Sequence, residues 1–78
     1  MRIIEAYQVP GGNVSPDIFA LPCVTSAFKY TCYETCYNIY SFGNIVRAFP
    51  GQWLCRDTEN QWRVLSDEAY QQQKGGKA

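Results

Sequence analysis

The stretch Phe49-Pro-Gly-Gln-Trp-Leu-Cys-Arg-Asp-Thr-Glu-Asn-Gln-Trp-Arg-Val-Leu-Ser-Asp-Glu-Ala-Tyr70 predicts a turn, a strand, a hairpin loop, a second strand and the start of a helix. Pro50-Gly51 suits the centre of a type II turn, because proline presets one backbone angle and glycine accepts a positive φ. Residues 52–56 and 61–65 carry strand-like alternation, and the polar residues 57–60 between them predict a hairpin loop.

A short helix is predicted to close this stretch. Ser66 supplies a capping hydroxyl, and the two acids after it complement the helix dipole in the first turn. We expect the helix to cover residues 67–73, with Tyr70 as its inward-facing anchor. This pattern places a helix directly after the last strand.

The N-terminal quarter predicts a strand followed by a helical turn. Residues 2–9 alternate and are rich in β-branched and aromatic side chains, which favours a strand. Residues 10–13 end it with a turn sequence. Ser15, followed by proline and an acid, signals a helix start, and Pro22 stops the helix, so a short helical turn is expected near residues 16–21.

Residues 24–42 leave two interpretations open. Their threonines and tyrosines fit a pleated surface, which favours two strands with a break near residues 33–35, although a helix stays an alternative. Residues 45–49 predict a further strand. The predicted fold is therefore α+β: a small, twisted, mostly antiparallel sheet of four to five strands, with a short helical turn and a C-terminal helix. We expect one compact domain over residues 1–73 and a flexible tail over residues 74–78.

Composition and charge narrow the classes of function that are expected for this chain. The 78 residues carry seven basic and seven acidic side chains, so the basic excess typical of nucleic-acid binders is missing. No apolar run approaches the roughly 20 residues of a membrane span, and the N-terminus does not resemble a signal peptide. We therefore expect a cytoplasmic protein whose partner is a protein surface or a small molecule.

Four cysteines allow three interpretations. Small buried hydrophobic residues are favoured, because a chain without a secretory signal keeps its thiols reduced. A disulfide and a zinc site stay open as alternatives, which would make the chain a stapled structural module. Only one pair has a spacing that suits zinc, and no histidine is present. The cysteines are Cys23, Cys32, Cys36 and Cys55.

Tyrosines dominate the candidate binding residues. Four of them lie within eleven residues, more than alternating strands can all direct inward, and tyrosine is enriched at protein interfaces. We therefore expect a partner to contact Tyr33, Tyr37, Tyr40 and the neighbouring Glu34. Full burial of both Tyr33 and Tyr37 would contradict this hypothesis. A homodimer stays open.

Catalysis is poorly supported by the sequence. With no histidine, the most common general base is missing, and no glycine-rich phosphate loop is present. No cofactor is expected. Trp53 and Trp62 are interpreted as packing residues, although exposed aromatics beside arginines would permit a single-stranded nucleic-acid or small-ligand binder.

The two ends of the chain resemble a group of small phage and prophage proteins. Those proteins open with a hydrophobic-Glu-Ala-hydrophobic-Gln strand, for which Ile4-Glu5-Ala6-Tyr7-Gln8 stands here. They close with a Pro-Gly-Asp-Trp strand, a polar hairpin and a short helix, for which Pro50-Gly51-Gln52-Trp53-Leu54 and Leu65-Ser66-Asp67-Glu68-Ala69-Tyr70 stand. In this chain Gln52 stands where those proteins usually have aspartate, and Tyr70 stands where they usually have phenylalanine. The resemblance covers about a third of the chain.

This resemblance implies an origin more than an activity. Small phage proteins of this size commonly bind a host protein, and some block a CRISPR-Cas defence. The resemblance therefore implies a non-enzymatic inhibitor that acts in the cytoplasm of an infected bacterium, with a CRISPR-Cas subunit as one candidate target.

Overall fold

The computed structural model describes residues 2–75, and this part of the chain forms six strands and two helices. In chain order they are β1 (Ile3–Gln8), α1 (Pro16–Phe19), β2 (Val24–Lys29), β3 (Thr35–Ser41), β4 (Asn44–Ala48), β5 (Trp53–Asp57), β6 (Trp62–Leu65) and α2 (Asp67–Gly75). The predicted mostly antiparallel α+β class is confirmed. The break between β2 and β3 falls at residues 30–34, so the two-strand interpretation of this region is also confirmed.

The strands form two sheets instead of the single sheet that was predicted. One has the order β1-β5-β6 and the other the order β2-β3-β4, and every pairing is antiparallel. The prediction of four to five strands was wrong, since residues 2–75 form six. The single-sheet prediction was wrong because the turn at Pro50-Gly51 does not join neighbouring strands of one sheet. It sends the chain from the edge of the second sheet to the middle of the first.

The two sheets share one core. Cross-strand partners project from the same face of a sheet, so the rows Tyr7–Leu54–Val64 and Ala27–Tyr37–Ala48 each mark one face. The buried cluster contains residues from these two faces, from α1, from the segment after β1 and from the position before β2. It consists of Val9, Ile18, Cys23, Tyr37, Ile39, Ala48, Leu54 and Trp62.

Tyr37 connects this core to the first helix. Its ring is fully buried, and its hydroxyl oxygen accepts a hydrogen bond from the backbone N–H of Ser15 at 2.8 Å. The Ser15 hydroxyl in turn accepts from the N–H of Ile18 at 3.4 Å, as expected of an N-cap. The predicted helix start is therefore confirmed, and a core side chain holds it in place.

Two tight turns have residues with positive φ at their centres, and one of these residues, Phe42, does not favour that backbone. Phe42 and Gly43 both have positive φ, which is the type I′ geometry of a two-residue hairpin. At the predicted type II turn, Gly51 has a φ of 91°, and the N–H of Gln52 donates to the Phe49 carbonyl at 3.1 Å. The predicted type II turn is confirmed.

The last helix packs on the outer side of the first sheet. Ser66 accepts from the N–H of Ala69 at 3.1 Å, which confirms the predicted cap. The Tyr70 ring stacks on Trp53 at a centroid distance of 3.8 Å, and the indole N–H of Trp53 donates to Asp67 at 2.8 Å. The helix extends to Gly75, two residues further than predicted. The predicted tail from residue 76 onwards lies outside the described residues.

The β5–β6 hairpin loop is organised by a buried carboxylate. Asp57 accepts hydrogen bonds from the backbone N–H groups of Glu59 and Gln61 at 2.9 and 3.0 Å, and from Arg63 Nε at 3.1 Å. The backbone bond from Gln61 is the first cause that lowers the Asp57 pKa, and the Arg63 guanidinium acts in the same direction. The charged form of this side chain therefore stabilises the loop.

We expect Asp57 to make the fold sensitive to acid. Because its folded pKa lies below the usual value of about 3.9, its contribution is fully present above that pH and is lost as pH falls through the folded pKa. Asp57→Asn should lower the urea midpoint at pH 7 and flatten its dependence on pH below about 4. Urea melts at several pH values test this, and parallel curves for the two proteins would contradict it.

Candidate protein-binding face

The second sheet has one face in the core and one face outside it. Because side chains alternate along a strand, the core row that contains Tyr37 leaves the neighbouring positions on the outer side. We call this outer surface the aromatic face. It consists of Phe28, Tyr30, Tyr40, Ile45, Arg47 and Phe49.

Large apolar groups on this face are open to solvent. Tyr40 and Ile45, which lie opposite each other on β3 and β4, are 55% and 56% exposed. Phe28 and Phe49, at the other end of the same face, are each 37% exposed. The polar side chains of Asn38 and Arg47 lie between these two apolar ends. Exposed apolar groups that adjoin polar ones are typical of sites that bind another molecule.

The aromatic rings are held by one another before any partner binds. The Arg47 guanidinium lies 5.4 Å from the centroid of the Phe28 ring, and the Tyr30 and Phe49 rings meet edge to face at 5.2 Å. Both contacts join the β2 side of the sheet to the β4 side. Side chains that are already ordered lose less conformational entropy on binding.

A buried thiol lies beneath these contacts. Cys36 pairs with Phe28 across β2 and β3 and is fully buried, although it projects from the outer face. Burial raises the pKa of its thiol, while the nearby positive charge of Arg47 lowers it. The net shift is upward, so Cys36 is a neutral packing residue at pH 7.

Arg47 is the charged group at the centre of this face. In residues 2–75 the ion pairs join Arg56 to Glu5 at 3.2 Å and Arg63 to Asp57 at 3.1 Å, and neither includes Arg47. Lys29 lies on the opposite face of its strand and donates to Asn13. The aromatic face therefore presents one positive charge without an ion-pair partner, opposite the polar side chain of Asn38.

Of the four predicted binding residues, two are open to a partner. Tyr40 lies on the aromatic face, and Tyr33 is 82% exposed in the loop between β2 and β3. Tyr37 is 0% exposed, so a partner cannot reach it in this fold. The reason is its position on β3, where the buried residues Thr35 and Ile39 two positions away share its inward face.

Glu34 holds a neighbouring tyrosine ring in position. Its carboxylate accepts a hydrogen bond from the Tyr30 hydroxyl at 2.7 Å, and this bond is the main cause that raises the Tyr30 pKa. Since Tyr30 also contacts Phe49, Glu34 helps to orient one ring of the aromatic face. The predicted residues therefore have four different positions. Tyr40 lies on the aromatic face and Glu34 supports that face. Tyr33 lies in a loop and Tyr37 lies in the core.

Sequence reasoning missed most of the aromatic face. Phe28, Ile45, Arg47 and Phe49 were not among the predicted residues. A signal was present in β4, where apolar residues occupy both odd and even positions. A strand with one solvated face normally alternates between apolar and polar residues, so this pattern indicates two faces that each need a cover.

The cysteines lie apart in the structure. Cys23, Cys36 and Cys55 are buried, Cys32 is exposed, and all four are free thiols. Within residues 2–75 no three metal-ligating side chains of His, Cys, Asp or Glu lie together. Burial raises the pKa of Cys23 and Cys55 to about 11. The stapled-module alternative therefore finds no support in this geometry.

We expect one fast thiol in the native protein. Cys32 should react readily with Ellman's reagent, whereas the three buried thiols should react only when the chain opens, because burial blocks access and disfavours the thiolate. Thiol counting should give one reactive thiol without denaturant and four with denaturant. Cys32→Ser should abolish the fast phase, and two or more fast thiols in the unaltered protein would contradict the packing described above.

Among residues 2–75, no helix is long and apolar enough to cross a membrane. No protein-family model, no curated protein and no solved structure matches the chain.

Proposed function

We propose that this protein is a non-enzymatic binder that inhibits a bacterial host protein by covering part of its surface with the aromatic face. The observation that carries the proposal is an exposed, pre-ordered set of aromatic rings around the unmatched charge of Arg47. Tyrosine, phenylalanine and arginine are the side chains that protein interfaces favour. The side chains of the aromatic face suit the recognition of a protein surface and not proton transfer.

The partner surface is expected to be apolar around a single carboxylate. Aromatic rings and Ile45 supply area that can be removed from water, and Arg47 can donate charge-assisted hydrogen bonds to an acid within that area. A nucleic acid is a poorer fit, because phosphate binding needs several cations along one groove. On the aromatic face, Arg47 is the one described cation.

The host and the mode of action rest on the resemblance of the two chain ends. That resemblance supports a phage or prophage origin and a defence protein as target, and a CRISPR-Cas subunit is the first to test. The Pro50-Gly51 turn and the Trp53–Tyr70 stack have structural roles here. These shared residues are therefore better support for a similar fold in the phage proteins than for a shared target.

A paired capture experiment tests the proposal. Tagged wild-type protein and an Arg47→Glu variant are incubated with lysate of a bacterium that carries a CRISPR-Cas system. The proposal expects a stoichiometric host protein that the wild type retains and the variant loses. Equal retention by both proteins would assign binding to another surface, and no retained protein would count against the inhibitor function.

A further inference from the structure

β4 is an edge strand with regular backbone pairing. The strand orders leave β1, β6, β2 and β4 at sheet edges. The pairings of β1 and β2 each contain a register shift, whereas β4 forms five consecutive pairs with β3 from Asn44 to Ala48. Bulges blunt an edge against further pairing, so β4 is better suited to accept another strand than β1 or β2.

The hairpin geometry shows which backbone groups of β4 are free. A two-residue turn makes Ser41 and Asn44 a hydrogen-bonded pair, and bonded and non-bonded pairs alternate from there. Ile45 and Arg47 therefore direct their N–H and C=O groups away from β3. No turn, loop or side-chain hydrogen bond in the described residues uses these four groups.

An open cleft of about 440 Å³ runs beside this edge, between β4 and β6. Its apolar part is formed by Phe42, Val46, Val64 and Leu65. Two arginines also line it, Arg47 and Arg63. None of the described residues that line it is acidic. Arg63 is already paired with Asp57, so the charge that a ligand can still match is that of Arg47.

We propose that an extended, acidic segment of the partner protein adds to β4 as an antiparallel strand. This inference rests on the proposed function and names the part of the partner that binds. In antiparallel pairing, the segment residue opposite Arg47 comes before the segment residue opposite Ile45 in the segment's sequence. Its carboxylate therefore lies beside Arg47, its next side chain enters the cleft at Val46, and the one after contacts Ile45. The recognised pattern is acid–apolar–apolar.

A second copy of this chain fits the edge less well. A symmetric β4 pair would place Ile45 opposite Arg47 of the other copy and would give neither arginine a carboxylate. Charge complementarity therefore favours a foreign acidic segment.

A peptide titration followed by two-dimensional ¹H–¹⁵N NMR tests this inference. The probe is the capped peptide Thr-Thr-Ser-Glu-Val-Ile-Thr-Ser-Thr, and the control peptide carries lysine in place of glutamate. The expected result is shifts at the amides of Ile45, Val46, Arg47, Val64 and Leu65, with slower hydrogen exchange at Ile45 and Arg47. The lysine peptide should bind about tenfold more weakly or worse, because the charge-assisted contact is lost.

N-methylated peptides provide a matched control that leaves the protein unchanged. N-methylation of the peptide isoleucine removes an N–H that points at β4, so it should abolish binding. N-methylation of the peptide valine removes an N–H that points away, so it should change affinity by no more than a few fold. An equal effect of the two modifications would overturn strand addition.

Three other outcomes would also overturn the inference. One is the absence of shifts at millimolar peptide. Another is a set of shifts confined to Phe28 and Phe49, which would leave the proposed function intact while removing the edge from it. The last is a change at Ile45 and Arg47 that depends on protein concentration without peptide, which would make a second copy the occupant. If the peptide binds as expected but no host protein is captured, the proposed function alone fails.

Discussion

Replacing Tyr37 with alanine is expected to destabilise the protein by about 3–5 kcal/mol, the usual range for truncating a buried aromatic side chain. Tyr37 is the largest fully buried side chain and joins the second sheet to α1 through Ser15. At about 0.05–0.15 kcal/mol per residue, a domain of this size is stable by only about 4–12 kcal/mol. The substitution therefore removes a large part of the folding free energy.

Tyr37→Phe is the matched control for that experiment. It keeps the ring and removes the hydroxyl oxygen that accepts from the Ser15 N–H, so a smaller loss of about 1–2 kcal/mol is expected. Urea unfolding followed by tryptophan fluorescence measures both variants. Wild-type stability in Tyr37→Ala would contradict the core described here and would return Tyr37 to the list of partner-binding residues.

Charge reversal at Arg47 is expected to weaken partner binding by about 30-fold or more, since interface hot spots contribute at least about 2 kcal/mol. Arg47→Glu places a negative charge opposite the expected carboxylate and removes the contact with Phe28. Arg2→Glu makes the same charge change at an exposed position before β1, on the other sheet. Titration of the captured partner with each protein measures the two affinities.

The folding effect of Arg47→Glu is expected to be small. An exposed cation–π contact is worth about 0.5–1 kcal/mol, so most of the domain's stability should remain. A urea melt of the variant checks this before binding is interpreted. If Arg2→Glu weakens binding as much as Arg47→Glu, the effect is a general one of net charge and the aromatic face loses its assigned role.

Local features of this fold were predictable because short-range chemistry decides them. The Ser15 and Ser66 caps, the Pro50-Gly51 turn and the stacking residue Tyr70 each depend on neighbours within a few positions or on one adjacent strand. The same is true of the breaks between strands. These predictions required no knowledge of how the strands assemble.

The inward direction of β3 was not predictable from local pattern. Tyrosines occupy both its faces, at Tyr37 and Tyr40, so alternation alone could not say which one is buried. The answer comes from α1, whose Ser15 N–H binds the Tyr37 hydroxyl across 22 positions of sequence. The aromatic face was missed for the same reason, since it joins residues of three strands whose pairing is set by the whole fold.

Site-specific photo-crosslinking tests the central claim most directly. Benzoyl-phenylalanine is placed at Tyr40 on the aromatic face or at Glu68 on α2, both exposed, and each protein is irradiated in lysate of a CRISPR-Cas-equipped host. We predict one discrete adduct with a host protein from position 40, lost on adding Arg47→Glu, and none from position 68. An adduct from position 68 alone, or adducts of equal yield from both positions, would contradict the assignment of the aromatic face as the binding surface.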